Sequence, residues 1–585
     1  MKRSRTLYIF LAGVAFSVSI IFGTQALAMA HKTAMLGKIS ISQKSFSTPR
    51  DSMPNQQNDL AKTPPMGWND WAQYQCGYTS KTILDNARAL VSSGLAARGY
   101  NNVTIDDCWM ARKRNAAGNL QPNSKRFPQG IAPVADSVHA MGLKFGIYED
   151  AGSKTCGGYA GSGAQKAGGK THFMRDMHLF AKWGVDYVKL DGCNVQVPKG
   201  VPRRTAYRKA YASASAAIRS SGRPMVFLES APAYFQGKPA WYNVLGWAGK
   251  YGQLWREGSD IKIFRSAHPS AYRFGSVMWN YAYNLPLGRY QKPGNWNNPD
   301  FIIGGSGGMN LAETRSQMAL WSMMSAPLKL SVNVGQLSSA AIRVLGNKRV
   351  IRVDQDPLGR MATLVRRTKA SDVLLKKLAD GDYAVAVFNH GDAPIHARIP
   401  LNILGFSSGS GCSVSARNLW NGVSSRHQKS LEVRVKSHDT IIWRLHPASA
   451  CGSPSRTGAI VMTIPSTKRN LGSRTIDRYG RCLSSTGVVR RCQGTKNEDW
   501  TVSNSGSLRA DNRCLTVTNG SPEMKACTGQ PSQHWVYKLN GNLVNASDHL
   551  CLSIHGVGTK EDRHWRMQAC GDNEATQIWA LPNKM

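Results

Sequence analysis

Acidic side chains are scarce in this chain: 35 Asp and Glu stand against 74 Lys and Arg, a formal net charge of +39. The excess is dispersed, with no run denser than the "RKR" of residues 112–114. Dispersed positive charge speaks to solubility and to attraction for anionic surfaces or acidic polysaccharides, and excludes a dedicated nucleic-acid reader. Closely spaced cysteines are also missing. No two of the 12 cysteines lie two to four residues apart and no histidine pair completes a zinc pattern, which removes the usual structural metal site. No Gly-rich phosphate turn follows the first strand, which argues against an open dinucleotide-binding sheet. Beyond residue 30 no apolar run is long enough to span a bilayer.

The 585 residues, 42% of them apolar, are enough for several domains and exclude wholesale disorder. Residues 1–30 combine a basic head, an apolar run from Leu7 and small residues at Ala26 and Ala28. That pattern predicts a secretory signal peptide cleaved near Ala28 or Ala30, an extracellular or periplasmic destination, and no membrane attachment after cleavage. Export permits disulfides, and the cysteine count is even. Residues 31–60 are polar and read as a flexible leader.

Across residues 61–353, short apolar runs alternate with helical patterns such as 82–99 and 171–184. The runs are 66–70, 102–107, 144–150, 186–192, 225–230, 252–261, 295–300 and 326–331. Eight strands, most separated by room for a helix, predict a (β/α)8 TIM barrel. Seven of the eight runs end in acid: Asp70, Asp106 with Asp107, Asp150, Asp191, Glu229, Asp260 and Asp300. In such a barrel those ends open onto one face, where active sites are built. Residues 354–447 lose the helical rhythm and alternate as an antiparallel β-sandwich does; 448–472 read as a Ser/Pro/Gly-containing linker. Residues 473–585 repeat. "RCLSSTG" (481–487), "RCLTVTN" (513–519) and "LCLSIHG" (550–556) each precede a second cysteine and an aromatic closing. Three copies of one unit sharing a core are expected, with Cys482–Cys492, Cys514–Cys527 and Cys551–Cys570 paired inside the copies.

"TPPMGWNDW", "IDDCW", "GIYED", "YVKLDGCN", the Arg256–Ile261 segment, "WNNPD" and "QMALWSMMSAPLKLS" stand in the order of the motifs of glycoside hydrolase family 27. The chain resembles that α-galactosidase family over residues 61–447. The resemblance implies Asp191 as nucleophile and Asp260 as general acid/base of a retaining glycosidase that needs no cofactor or metal. Lys189 and Arg256 would hold neighbouring carboxylates charged, whereas the surroundings of Asp260 should favour its protonated form. Asp106 and Asp107 would accept the 4- and 6-hydroxyls of galactose, Trp68 would stack beside the sugar, Tyr148 would line the pocket, and Asp300 matches the seventh-strand carboxylate. Where the family has "CEW", this chain has "LESAPAYF" (228–235), so Glu229 or Ser230 meets the 2-position. The resemblance also implies disulfides Cys76–Cys108 and Cys156–Cys193, leaving Cys412 and Cys451 for each other.

The repeats resemble a ricin-type β-trefoil, usually a carbohydrate-binding module. The acidic residue of its sugar-binding copies is replaced here by Ser484, Thr516 and Ser553, so glycan contact and a purely structural role both stand. The expected function is removal of terminal α-D-galactose from oligo- or polysaccharides. β-L-Arabinopyranosidase, α-N-acetylgalactosaminidase and isomaltodextranase activities are the alternatives on the same scaffold, and a non-catalytic carbohydrate-binding protein is the rival from another class.

Overall fold

The computed structural model describes residues 60–238, 240–261, 270–306, 308–407, 411–462, 481–555, 563–571 and 575–583. The expected signal peptide, nearly all of the expected leader, and residues 463–480 across the expected linker and first repeat lie outside them.

Eight parallel strands form the first sheet: β1 Met66–Asn69, β2 Asn102–Thr104, β3 Lys144–Asp150, β4 Tyr187–Asp191, β5 Val226–Glu229, β6 Leu254–Arg256, β7 Trp296–Asn298 and β8 Leu328–Leu330. Neighbours in sequence are neighbours in space, and β1 also pairs with β8. The remaining gap is bridged just past β7, where Ile302 pairs with Leu330. The sheet is therefore a closed barrel. Parallel strands in such a barrel are buried on both faces, which explains their nearly continuous apolar character. Helices of the outer layer carry their own start signals. Thr79 and Asn310 cap Ser80–Ser92 and Leu311–Met323 through capping boxes.

Eight further strands follow: β9 Thr363–Arg367, β10 Ser371–Lys377, β11 Tyr383–Asn389, β12 Ile395–Pro400, β13 Val414–Asn418, β14 Ser424–His427, β15 Ser430–Val435 and β16 Thr440–Pro447. Six of them form one antiparallel sheet, in the order β14-β13-β16-β11-β10-β9, and β12 pairs with β15. Alternate residues such as Leu375, Val385, Val414 and Leu431 meet in one core, the arrangement of a sandwich.

The last region is built on a threefold repeat. Trp500, Trp535 and Trp579 are buried together, and each donates its indole N–H to the carbonyl of a leucine in its own copy: Leu483 at 2.7 Å, Leu515 at 2.9 Å and Leu552 at 2.9 Å. Thr457–Gly458 and Val461–Met462, inside the stretch that composition marks as linker, pair with trefoil strands instead. Two-residue strands leave no periodicity for a sequence reading to detect. The trefoil is also tied to the sandwich, through the Arg366–Asp499 ion pair and through Asn583, which bonds the Met361 and Ala362 carbonyls.

Candidate active site

Strand parity decides what faces the barrel axis. Successive side chains alternate, and residues paired across a ladder share a face. Tyr148 pairs with Lys189, and Asp150 with Asp191. Lys189 in turn pairs with Leu228, and Leu228 with Leu254. Tyr187, Leu228, Leu254 and Trp296 fill the interior as a separate apolar cluster. Two residues further along, the same face carries Asp150, Asp191, Ser230 and Arg256. The barrel is thus plugged below by these apolar side chains together with buried Lys329, which bonds Asn102 and Thr104 and lies over the Tyr187 ring at 4.0 Å, and is charged at its mouth.

The charges are tightly interlocked. The Lys189 ammonium donates to both oxygens of Asp106, at 3.0 and 2.7 Å, and stands 3.8 Å from Asp191. Burial opposes its charge, but Asp106 and Asp191 outweigh it and raise its pKa. Asp106 also accepts from Asn69 at 2.8 Å, and its backbone N–H donates to Asp70. Asp107 accepts from the Gly157 amide at 2.7 Å, which fastens it to the loop after β3. Arg256 bridges two carboxylates, Asp260 at 3.1 Å and Asp300 at 3.1 Å. Burial first, and then the charge of Asp191, push the Asp150 carboxyl up to about 8. Tyr234 accepts the Gly192 amide at 3.0 Å, holding the turn that follows Asp191.

Asp106, Asp107, Tyr148, Lys189, Asp191, Arg256 and Asp260 converge on one cavity of about 310 Å³, at the small end of ligand sites. Three other residues implicated from sequence do not reach it. Trp68 is fully buried with its indole bonded to the Val332 carbonyl, because it has the outward parity of Val103; Trp71 lines the cavity instead. Glu229 pairs with Leu190 on the outer face and is enclosed, its carboxyl well above the usual range because of burial; Ser230 takes the lining position. Asp300 is buried outside the lining, accepting the Ile261 amide at 2.7 Å and holding Arg256. Ala233, Tyr234 and Ser259 also line the cavity, and sequence reasoning passed over them. Ala233 and Tyr234 lie four and five residues beyond Glu229, and Ser259 directly precedes Asp260, all on loops without periodicity. Asp260 is half exposed, its side chain at 48%, so the protein walls alone do not supply the desolvation expected around a general acid.

The six disulfides are Cys76–Cys108, Cys156–Cys193, Cys412–Cys451, Cys482–Cys492, Cys514–Cys527 and Cys551–Cys570. Cys156–Cys193 closes 37 residues and packs a sulfur 3.9 Å from Asp191. Opening a loop of that length costs about 3–4 kcal/mol. The Cys156→Ser/Cys193→Ser variant is therefore expected to melt lower and to lose turnover, since the loop after β3 no longer braces Asp191. Thermal melts together with initial rates test this; unchanged values would mean that the bond is idle.

Among the described residues, Glu257 has no hydrogen-bond partner for either carboxylate oxygen, and burial raises it from 4.5 to about 8. The folded chain therefore keeps it protonated between those values while the unfolded chain ionises it. Stability falls as pH rises through that window, by ~1.4 kcal/mol per unit. Glu257→Gln removes the penalty. Relative to the parent it should be nearly neutral at acid pH and increasingly stabilising toward pH 8, as denaturant titrations at several pH values would show.

Among the described residues, the one group of potential metal ligands is Asp150 with Cys156 and Cys193, whose sulfurs are committed to the disulfide. A larger cavity, about 530 Å³, lies where barrel, sandwich and trefoil meet, but no carboxylate lines it.

Comparison with known proteins agrees with this geometry. The model of the alpha galactosidase A family matches residues 63–356, that of the alpha galactosidase C-terminal beta sandwich domain residues 368–445, and that of the ricin-type beta-trefoil lectin domain residues 474–579. A probable alpha-galactosidase A of Aspergillus clavatus is 38% identical over 533 residues, covering 90% of this chain and 94% of that protein. Alpha-galactosidase A of Aspergillus niger is 36% identical over 540 residues, covering 90% and 93%. The crystal structure of alpha-galactosidase I from Mortierella vinacea superposes with a TM-score of 0.59 at 29% identity, covering 66% of this chain and 98% of that one. With its barrel, sandwich and trefoil matched in order, and relatives aligned over nearly their whole length, this chain belongs to the alpha-galactosidase A family.

Proposed function

We propose that the chain is an exported, retaining exo-α-galactosidase in which Asp191 is the nucleophile and Asp260 the general acid/base. The observation that carries this reading is that both aspartates line one monosaccharide-sized cavity, with Asp106 and Asp107 beside them as hydroxyl acceptors. An Asp191 oxygen attacks the anomeric carbon as the bond to the leaving oxygen breaks, and Asp260 delivers its proton to that oxygen. The product of this step is a covalent β-galactosyl ester. Water then attacks the same carbon, Asp260 takes the water's proton, and the ester bond breaks to return the Asp191 carboxylate and release α-galactose. Arg256, bonded to Asp260, places that group, while bound sugar displaces the water that reaches it in the open site. Proton NMR of early product tests the reading: α-galactose must appear before mutarotation, and β-galactose first would exclude a retaining mechanism. Six disulfides suit an oxidising compartment, in keeping with the signal-like N-terminus.

One observation favours a second reading. Where the 2-hydroxyl would meet the end of β5, the lining is Ser230 and Ala233, both small, and the Glu229 carboxylate is turned away. Such a wall leaves room for an N-acetyl group. Rates on nitrophenyl α-galactoside, α-N-acetylgalactosaminide and β-L-arabinopyranoside, measured side by side, separate the readings. The trefoil contributes little recognition at its three acid-replaced positions. Ser484, Thr516 and Ser553 are buried, and their hydroxyls bond internally to Thr486, the Cys514 carbonyl and Thr576.

A further inference from the structure

Charge around the cavity mouth divides by sign and by depth. The carboxylates are buried or nearly so, except Asp260, which is half exposed and bonded to Arg256. The loops after β1 and β6 hold Asp70, Glu257 and Asp260, of which Asp260 alone is exposed, but the other segments around the mouth, residues 108–131, 151–172, 192–204, 230–240, 301–310 and 331–338, contain no Asp or Glu. They carry exposed Arg112, Lys154, Lys199, Arg203, Arg204 and Lys238. Arg112 and Arg203 contact the cavity wall through their side chains, and Lys154 and Lys238 are joined to it through their backbone. Arg112 lies over the Tyr159 ring at 5.0 Å, next to the Gly157 turn that holds Asp107. The Lys154 carbonyl accepts from Asn194, which follows the turn after Asp191, at 2.9 Å. Arg203 donates to the carbonyl of Tyr234, a lining residue, at 3.3 Å. The Lys238 amide bonds the Phe235 carbonyl at 2.9 Å, and Gln236 between them holds Ser259 beside Asp260.

Among the described residues none of the six is paired with a carboxylate, and the segments that carry them hold no acid to balance them. Unpaired charge of one sign around a concave, low-dielectric opening focuses its field there and concentrates ligands of the opposite sign. A neutral oligosaccharide gains nothing from that field. We propose, resting on the α-galactosidase reading, that the mouth selects galactosides whose remaining chain is anionic, with carboxylate or phosphate on the units next to the terminal galactose.

Matched open-chain substrates test this on the unaltered protein. Melibionate and melibiitol both present α-galactose on a six-carbon chain and differ in a carboxylate against a hydroxymethyl group. α-Galactosylglycerol phosphate and α-galactosylglycerol form the phosphate pair, and the pair with the larger ratio identifies the preferred anion. The expected kcat/KM ratio of anionic to neutral substrate is about tenfold at ~0.02 M ionic strength and below about twofold at ~0.5 M. The Lys154→Glu/Lys199→Glu/Lys238→Glu variant should reverse the preference; the salt series stands without it if that variant does not fold. Equal rates within both pairs at low salt, or a preference that neither salt nor charge reversal moves, would overturn the inference. Hydrolysis of nitrophenyl α-galactoside alongside equal rates leaves the underlying activity intact, whereas inertness toward every galactoside overturns that activity itself.

Discussion

Asp191→Ala is expected to lower kcat on nitrophenyl α-galactoside by at least about 10,000-fold while leaving the melting transition close to that of the parent. The two halves of this expectation have separate causes. Chemistry fails because no other group in the cavity is placed to form the glycosyl ester in its stead. Stability survives because Asp191 is partly exposed at the end of β4 and because its neighbouring cation has a stronger partner: Lys189 remains bonded to Asp106 at 2.7 Å. No buried charge is orphaned. Removing Asp191 also relieves the repulsion that helps raise Asp150. Added azide provides the decisive readout. In the Asp191→Ala variant it should attack from the vacated side and give β-galactosyl azide. In Asp260→Ala it should intercept the covalent intermediate and give α-galactosyl azide. Finding the anomers the other way round would exchange the two roles, and an Asp191→Ala enzyme of undiminished rate would remove the carboxylate from the mechanism.

The barrel strands were legible because each is a short apolar run, all but the eighth closed by acid, and a run buried on both faces needs no alternation to be recognised. The same property hid the site's finer structure. A run apolar on both sides gives no direct sign of which residues face inward, so Trp68 and Glu229 were assigned to the sugar when their parity turns them outward. The β4–β5 register, which no single strand reveals, settles it. With Lys189 and Asp191 facing in, Leu190 faces out, and any residue laddered to Leu190 must share its side; Glu229 is that residue. Tyr234 and Ser259 left no such signal, since their positions follow from loop contacts with Gly192 and Gln236. The trefoil was legible through its repeats, but its joint with the sandwich was not, because the Arg366–Asp499 pair joins residues 133 apart in sequence.

Lys189→Met carries the largest expected stability effect. The ammonium is 3% exposed, and it is the cation directly bonded to Asp106, itself 1% exposed. Removing it strands a buried carboxylate, a loss of about 3–5 kcal/mol. The neutral Asn69 amide and the backbone N–H of Asp107 remain bonded to Asp106, at 2.8 and 3.0 Å, but cannot balance its charge. Asp106→Asn alone leaves the opposite fault, a buried ammonium facing only Asp191 at 3.8 Å. In the double variant Lys189→Met/Asp106→Asn both charges disappear, and a methionine can fill the space beside the Tyr148 and Phe301 rings that the ammonium now occupies. Stability should then recover well above the sum of the two single losses, giving a large favourable coupling in the cycle. Galactose binding should not recover with it, because the carboxylate proposed to accept the sugar hydroxyls is gone. Denaturant titrations and KM measured on all four proteins separate the two roles. Strict additivity of the stability losses would mean that Lys189 and Asp106 do not act as a pair; recovery of KM in the double variant would take Asp106 out of sugar recognition while leaving the ion pair as a purely structural element of the barrel.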